Sequence, residues 1–230
     1  NDSDIPTNVT FGVPGDSLRV DTFKINKGFV SANVEANMSV ATEFFMDDDD
    51  LGNPEFFFNG DIFELQGNFL RVGGELSRFN LGESVLRLNG ENEQRIDGGN
   101  LFTVYNLEIV NKRDIVYVDR SIRVLHNGLI ADSVTVDVSD FNIVMLGDVP
   151  DSRLKLNGRV TGTVDGGIYF GGLNTIFEGR ATNDLSLEGR GTITNLVIDI
   201  GSANSVEFVN ENPGTANIFN FSNRLELRSG

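Results

Sequence analysis

Apolar and polar residues alternate with a period of two along nearly the whole chain. Leu18-Arg-Val20, Val85-Leu-Arg-Leu88, Val116-Tyr-Val118, Ile122-Arg-Val124 and Val134-Thr-Val136-Asp-Val138 follow this pattern. So do Leu154-Lys-Leu156, Leu185-Ser-Leu187 and Leu225-Glu-Leu227. Successive side chains of an extended backbone point to opposite faces, so each run predicts a short strand with one face inward. The runs are separated by Asn-Gly, Gly-Gly, Gly-Asp and Asn-Lys, which form turns because Gly and Asn tolerate positive φ. No stretch carries a convincing 3.6-residue period or capping box. The nearest helical candidate, 34–45, aligns with 120–129, which reads as strand.

The chain also repeats over longer distances. Ser84-Val-Leu-Arg-Leu-Asn-Gly90, Gln94-Arg-Ile96 and Tyr105-Asn-Leu-Glu-Ile109 are echoed by Thr175-Ile-Phe-Glu-Gly179, Leu185-Ser-Leu187 and Thr194-Asn-Leu-Val-Ile198. Gly179 stands 89 residues after Gly90, and Leu196 stands 89 after Leu107. A partial copy opens the chain with Val9-Thr-Phe-Gly12, Leu18-Arg-Val20 and Thr22-Phe-Lys-Ile25, and Leu107 lies 84 residues beyond Phe23. Self-similarity of this kind marks an array or solenoid. The predicted fold is all-β, a right-handed parallel β-helix or solenoid built from degenerate repeats of about 85–90 residues. It forms a single unit over 1–230, with a partial repeat at 1–60 and repeats at 61–150 and 151–230. Within it, coils of roughly 20–25 residues would stack at ~4.8 Å. Tandem antiparallel β-sandwiches are the alternative. Three features favour the solenoid: irregular corners, inward aliphatic and Phe residues suited to rows, and Asn recurring at corners (Asn26, Asn89, Asn106, Asn111, Asn157, Asn195). Leu88, Phe177 and Phe11 are expected inward in one shared role. Leu107, Ile109, Val116, Val118, Ile122 and Val124 are expected buried, with Glu108, Asp119 and Arg123 exposed.

Composition narrows the function. The chain has 230 residues, 39% of them hydrophobic, with no Cys and no Trp, so ladders and packing rather than disulfides must hold it together. A net charge of −16, from 34 acidic against 18 basic residues, disfavours nucleic acid, whose affinity rests on Lys and Arg neutralising phosphates. It disfavours an anionic membrane surface for the same reason. No apolar run approaches the ~20 residues that span a bilayer.

The order of motifs resembles the repeat regions of very large secreted and cell-surface β-solenoid proteins of Bacteroidota-type bacteria, adhesins among them. Leu88-Asn-Gly90, Gln94-Arg-Ile96, Tyr105-Asn-Leu-Glu-Ile109, Asn111, Val116-Tyr-Val118 and Ile122-Arg-Val124 carry the resemblance. It fits residues 60–146 well, and 9–45 and 175–230 more loosely, with Asp184 where Gln94 stands in the middle copy. The resemblance implies an exported stalk or adhesin segment without catalytic residues.

Candidate chemistry is sparse. His126 is the only histidine, so a Ser/His/Asp triad or a His-based metal site would have to use it; with no Cys, the usual zinc ligand sets are ruled out. It reads as an ordinary turn histidine. Asp47, Asp48, Asp49 and Asp50 form an acidic run that is a candidate calcium site, since hard cations take several oxygen ligands. Its spacing is not that of an EF-hand, because Leu51 and Phe58 fall where ligands are required, and a solvated loop is the simpler reading. No other cofactor is expected. Alternation turns one residue of Phe56-Phe-Phe58 outward, a candidate docking patch.

The expected function is a non-enzymatic structural protein, secreted or at the cell surface: a stalk, adhesin segment or fibre-forming subunit. The expected partner is another copy or neighbouring repeats of the same polypeptide, with surface glycans as a further candidate. A carbohydrate-binding or polysaccharide-degrading β-helix is the alternative; a line of outward aromatic and basic residues on one face would favour it.

Overall fold

The structure is a computed structural model. It describes residues 7–25, 30–48, 54–73, 78–98, 102–112, 115–146, 149–163, 166–170, 185–188, 191–199, 205–209 and 219–228. Every regular element among them is a β-strand.

The strands succeed one another coil by coil. The first coil holds β1 (Thr7–Phe11) and β2 (Ser17–Ile25), and the second holds β3 (Val30–Val34) and β4 (Asn37–Asp48). Then come β5 (Glu55–Phe58), β6 (Ile62–Leu65) and β7 (Asn68–Gly73), followed by β8 (Arg78–Asn80), β9 (Val85–Leu88) and β10 (Gln94–Asp97). The middle of the molecule is formed by β11 (Phe102–Val104), β12 (Asn106–Ile109) and β13 (Ile115–Val118), then β14 (Ile122–Val124), β15 (Gly128–Ile130) and β16 (Thr135–Asp137). Next are β17 (Asn142–Met145), β18 (Ser152–Leu156) and β19 (Arg159–Thr161). The last described part contains β20 (Gly167–Phe170), β21 (Leu185–Glu188), β22 (Gly191–Asp199), β23 (Val206–Val209) and β24 (Phe219–Arg228).

Each described pairing between these strands is parallel and joins a strand to its equivalent one coil away. The fold is therefore a parallel β-solenoid, and the antiparallel sandwiches are excluded. Parallel ladders need a long crossover between partners, and here the rest of the coil is that crossover.

The pairings sort into three faces. The first runs β1, β3, β5, β8 and then, beside β8, through β11, β14, β17, β20 and the second halves of β22 and β24. The second runs from the first half of β2 through the first half of β4, β6, β9, β12, β15, β18 and β21 to β23. The third runs from the second half of β2 through the second half of β4, β7, β10, β13, β16, β19 and the first halves of β22 and β24.

Alternation turns into continuous rows of inward residues. On the second face one row reads Leu18, Met38, Phe63, Leu86, Leu107, Gly128, Leu154 and Leu187. Its neighbour reads Val20, Val40, Leu65, Leu88, Ile109, Ile130 and Leu156. On the third face Phe23, Phe44 and Phe69 stack, with centroids 5.5 and 5.1 Å apart and planes within 8° and 6°. Phe56 and Phe79 stack likewise on the first face at 5.4 Å. One apolar core runs from Ile25 to Ile198. Leu107, Ile109, Val116, Val118, Ile122 and Val124 are all buried in it. Glu108, Asp119 and Arg123 point outward as expected but are half-buried rather than exposed.

The long-range repeat needs correction. Leu107 sits on the second face, in register with Gly128, while Leu196 sits on the first, in register with Ile168. Phe23 lies on the third face, beside Phe44. The offsets of 84 and 89 therefore do not carry a residue to its equivalent. The true repeat is one coil, and Leu18, Met38, Phe63, Leu86 and Leu107 follow at intervals within the expected 20–25 residues. The step from Leu154 to Leu187 is longer because residues 171–184 intervene. Phe11 and Leu88 likewise belong to different rows, and Phe177 lies outside the described residues. A period-two pattern matches itself at many offsets, so similarity of alternation does not fix which face a residue occupies.

Corner glycines also act differently from expectation. Positive φ among glycines is confined to Gly12, Gly15 and Gly82 in the described residues. At Gly67 and Gly90 the constraint is the preceding coil. A Cβ would stand 1.8 Å from the Thr42 carbonyl oxygen at Gly67, and 2.4 Å from that of Gln66 at Gly90. Coils at sheet spacing leave no room for a side chain there.

Candidate functional site

Outward side chains stack as regularly as inward ones, so the candidate site is a surface of columns. On the second face Arg19, Ser39, Glu64, Arg87, Glu108, Leu129 and Lys155 form one column. Arg87 donates from Nε to Glu108 Oε2 at 2.7 Å. On the third face Lys24 Nζ lies 2.7 Å from Glu43 Oε1. Arg95 donates from Nη1 to both carboxylate oxygens of Asp119, at 2.9 and 2.8 Å. That hydrogen bond, and then the Asp119 charge, push the Arg95 guanidinium above its ordinary range and hold it charged.

Cations cover an aromatic ring on this face and another at the corner that follows it. The Arg95 guanidinium lies 4.9 Å from the Tyr117 centroid, and that of Arg120 lies 5.6 Å from Phe141. Each pair bridges neighbouring coils and shields one ring face. Because Arg95 and Asp119 remain substantially exposed, a double-mutant cycle on Arg95→Ala and Asp119→Ala should give a coupling below ~1 kcal/mol that shrinks with salt. A coupling above ~2 kcal/mol would mean the columns are major contributors to stability.

The corners are held by side-chain amides. Asn37 Oδ1 accepts from the backbone N–H groups of Asp61 and Ile62, at 2.8 and 2.9 Å, one coil on. Asn106 Oδ1 accepts from Asn127 N at 3.2 Å, and Asn127 Oδ1 accepts from Arg153 N at 3.3 Å. Of the expected corner asparagines, Asn106, Asn111 and Asn195 bond to backbone of an adjoining coil, whereas Asn89 donates to the Glu64 side chain. Amide-to-amide contacts also occur: Asn111 donates to Gln94 Oε1 at 3.0 Å, and Asn223 donates to Asn195 Oδ1 at 2.7 Å. Asn26 lies outside the described residues. Beside the Asn106–Asn127 corner is a surface groove of about 320 Å³, lined by Asn106, Glu108, Asn127, Leu129, Arg153 and Lys155.

The predicted chemical candidates are not brought together. Asn127 donates from Nδ2 to His126 Nδ1 at 3.3 Å, an orientation fixed by the acceptor role of Asn127 Oδ1. The His126 ring lies 5.2 Å from that of Tyr105. Asp47 and Asp48 are not in a loop; their backbones pair with Val72 and Gly73 at the end of β4. The acidic run therefore begins inside the sheet, and Asp49 and Asp50 lie outside the described residues. Among the described residues no group of three or more His, Cys, Asp or Glu side chains is placed to hold a metal ion. Phe57 is the outward member of its triplet, flanked in register by Asn33 and Asn80, with Phe56 and Phe58 buried.

Calcium at millimolar levels should leave the melting temperature nearly unchanged. A site saturated a hundredfold above its Kd would add ~2.7 kcal/mol. A large rise abolished by Asp48→Ala would instead establish a calcium site at the acidic run.

One group of residues departs from the alternation. Val144, Tyr169 and Val197 face outward on the first face, yet all are buried and form a second apolar cluster with Leu146 packed against it. Arg224 donates from Nη2 to the Tyr169 hydroxyl at 3.2 Å. The signal was present in Asn142–Met145 and Gly167–Phe170, where polar residues stop alternating and the burial is continuous. An unbroken apolar run of this kind marks a strand covered on both sides.

Among the described residues no helix is long and apolar enough to cross a membrane. No protein family matches this chain, and neither a curated protein nor a solved structure does.

Proposed function

We propose that this protein is a non-enzymatic structural rod, a stalk or adhesin segment of a secreted or cell-surface protein. The observation that carries the reading is how its side chains are spent. Inward residues form one unbroken apolar core along the solenoid, and outward charges pair lengthwise between coils. The successive row positions from Leu18 to Phe208, at sheet spacing, give a length of roughly 40 Å. A solenoid of this kind sets a distance, because its coils stack at the fixed spacing of sheet strands and each adds one such step to the length. The resemblance to surface β-solenoids supports the location.

A carbohydrate-binding reading has one observation of its own. Arg95, Tyr117, Arg120 and Phe141 place basic and aromatic groups outward in one region, which is where a glycan platform would form. The cations lie over those rings, which favours the structural reading. Small-angle scattering and negative-stain imaging should show a rod, and neutral and uronic-acid polysaccharides should be neither bound nor cleaved. Turnover, or glycan capture that falls on Tyr117→Ala, would overturn the structural assignment.

A further inference from the structure

We propose that Asn59 is a site of spontaneous deamidation, and that the modification loosens the contact between two neighbouring coils. The site stands independently of the rod reading. The chain carries the Asn-Gly dipeptide at 59–60, 89–90, 127–128 and 157–158. Asparagine before glycine favours this chemistry, because no Cβ hinders the glycine amide. The glycine nitrogen attacks the asparagine Cγ. The N–Cγ bond forms, the Cγ–Nδ2 bond breaks, and Nδ2 leaves as ammonia with the proton of the attacking nitrogen. Water then opens the cyclic imide at either C–N bond, giving aspartate or isoaspartate.

The fold protects three of the four pairs. Gly90, Gly128 and Gly158 are buried. Gly90 N donates to Gln94 Oε1 at 2.9 Å, and Gly158 N donates to the Ile130 carbonyl at 3.3 Å. Gly128 lies within β15, paired with Leu107 on one side and Leu154 on the other. The Asn127 side chain is fixed as well, accepting from Arg153 N and donating to His126. Groups held in this way react only after the structure opens locally.

Asn59 and Gly60 differ on each count. Asn59 is exposed and Gly60 is only half-buried. The Gly60 nitrogen makes no hydrogen bond among the described residues. Both residues line a surface groove with Asp61, Glu83 and Ser84, so water reaches them. The Asn59 amide donates from Nδ2 to Glu35 Oε1 at 2.9 Å, a contact between adjoining coils.

Hydrolysis replaces that donor by a carboxylate facing the Glu35 carboxylate, and the two charges repel. Isoaspartate also adds one carbon to the main chain at the corner. The corner has no slack for it, since a Cβ on Gly60 would stand 2.5 Å from the Ala36 carbonyl oxygen of the preceding coil. The modification therefore weakens the stacking of β5 and β6 on β3 and β4.

Peptide mapping by mass spectrometry, after incubation at mildly alkaline pH, tests the site. In the folded chain Asn59 should deamidate at least about tenfold faster than Asn89, Asn127 or Asn157, whose reaction requires local opening. In urea the four should react at similar rates. Asn59→Gln should abolish the fast reaction. Equal rates in the folded chain, or a preference for Asn59 that persists in urea, overturns the assignment. The consequence has its own test in Asn59→Asp, which should melt below the native chain. Repulsion from Glu35 raises the folded pKa of the pair above the unfolded one, so the deficit should be smallest in acid and grow as pH rises. Glu35→Gln should remove most of that pH dependence. An Asn59→Asp variant as stable as the native chain at neutral pH would overturn the proposed loosening.

Discussion

Replacing Phe44 by alanine should destabilise the protein by about 3–5 kcal/mol, measured by reversible denaturation. Phe44 is fully buried at the centre of the aromatic row. It stacks between Phe23 and Phe69, and the edges of Phe56, Phe63 and Phe79 approach it at 4.9, 5.4 and 5.5 Å. Truncation removes the transfer energy of the ring and leaves a cavity bounded by other rings, which cannot collapse into it without breaking their own stacks. Aromatic pairs add ~0.5–1.5 kcal/mol beyond area burial, so the loss should sit at the high end of the range. Phe44→Leu should cost clearly less. Because solenoid coils are held by nearest neighbours, the effect should concentrate in the coils from β1 to β10 and appear there first in hydrogen exchange. A loss below ~1 kcal/mol would show that the aromatic row is not a packed unit.

Gln94→Leu should be similarly damaging, at about 3–5 kcal/mol, although it replaces a polar residue by an apolar one inside a core. The Gln94 side chain is completely buried. Its Oε1 accepts from Gly90 N at 2.9 Å and from Asn111 Nδ2 at 3.0 Å. Its Nε2 donates to the carbonyls of Leu65 and Gly67, at 3.0 and 2.9 Å. Leucine would leave these groups without that partner, and a buried group without a hydrogen bond costs ~1–3 kcal/mol. Asn111 keeps its bond to the Asn92 carbonyl, so the losses will not simply add. Gln94→Glu should show the opposite pH behaviour to an ordinary surface carboxylate. A carboxylate there would be buried and would face two carbonyl oxygens, so its folded pKa would lie above the unfolded one. Its destabilisation should therefore be smallest in acid, below the unfolded pKa, and grow as pH rises through the folded pKa. A Gln94→Glu variant whose stability relative to the native chain did not change with pH would rule out the burial described.

The resemblance motif gains a physical meaning here. Gln94 and Asn111, which carry part of the likeness to surface solenoids, meet at one corner and tie the coils of β6–β7, β9–β10 and β12–β13 together. Their types were visible in the sequence and their spacing suggested a recurring structural role. That they form a sealed amide node, rather than an exposed ladder, depends on the corner closing over them.

Local alternation was sufficient to place strands and to sort inside from outside. The runs read from the sequence fall in strands, save that Val134 and Val138 flank β16, and Val85-Leu-Arg-Leu88, Val116-Tyr-Val118 and Ile122-Arg-Val124 bury the residues that alternation turned inward. The stretch 34–45 is strand in β3 and β4, with no helix. Alternation failed at Val144, Tyr169 and Val197, because it reports one covered face and these strands have two. It also misjudged Glu108 and Asp119, which are half-buried because each lies against an arginine of the preceding coil.

What the sequence determined by itself was the class of fold, the approximate coil length and the inward side of most short runs, because a period of two is a property of every extended backbone. What only the tertiary structure decided was which coil position each run occupies. It showed that Leu107 and Leu196 lie on different faces, that Gly67 and Gly90 are required by the neighbouring coil, and that the inward Leu225 and Leu227 are left exposed. The reason is that register in a solenoid is fixed by contacts between coils. Those contacts depend on the summed length of strands and corners, and alternation along a single strand carries no record of that sum.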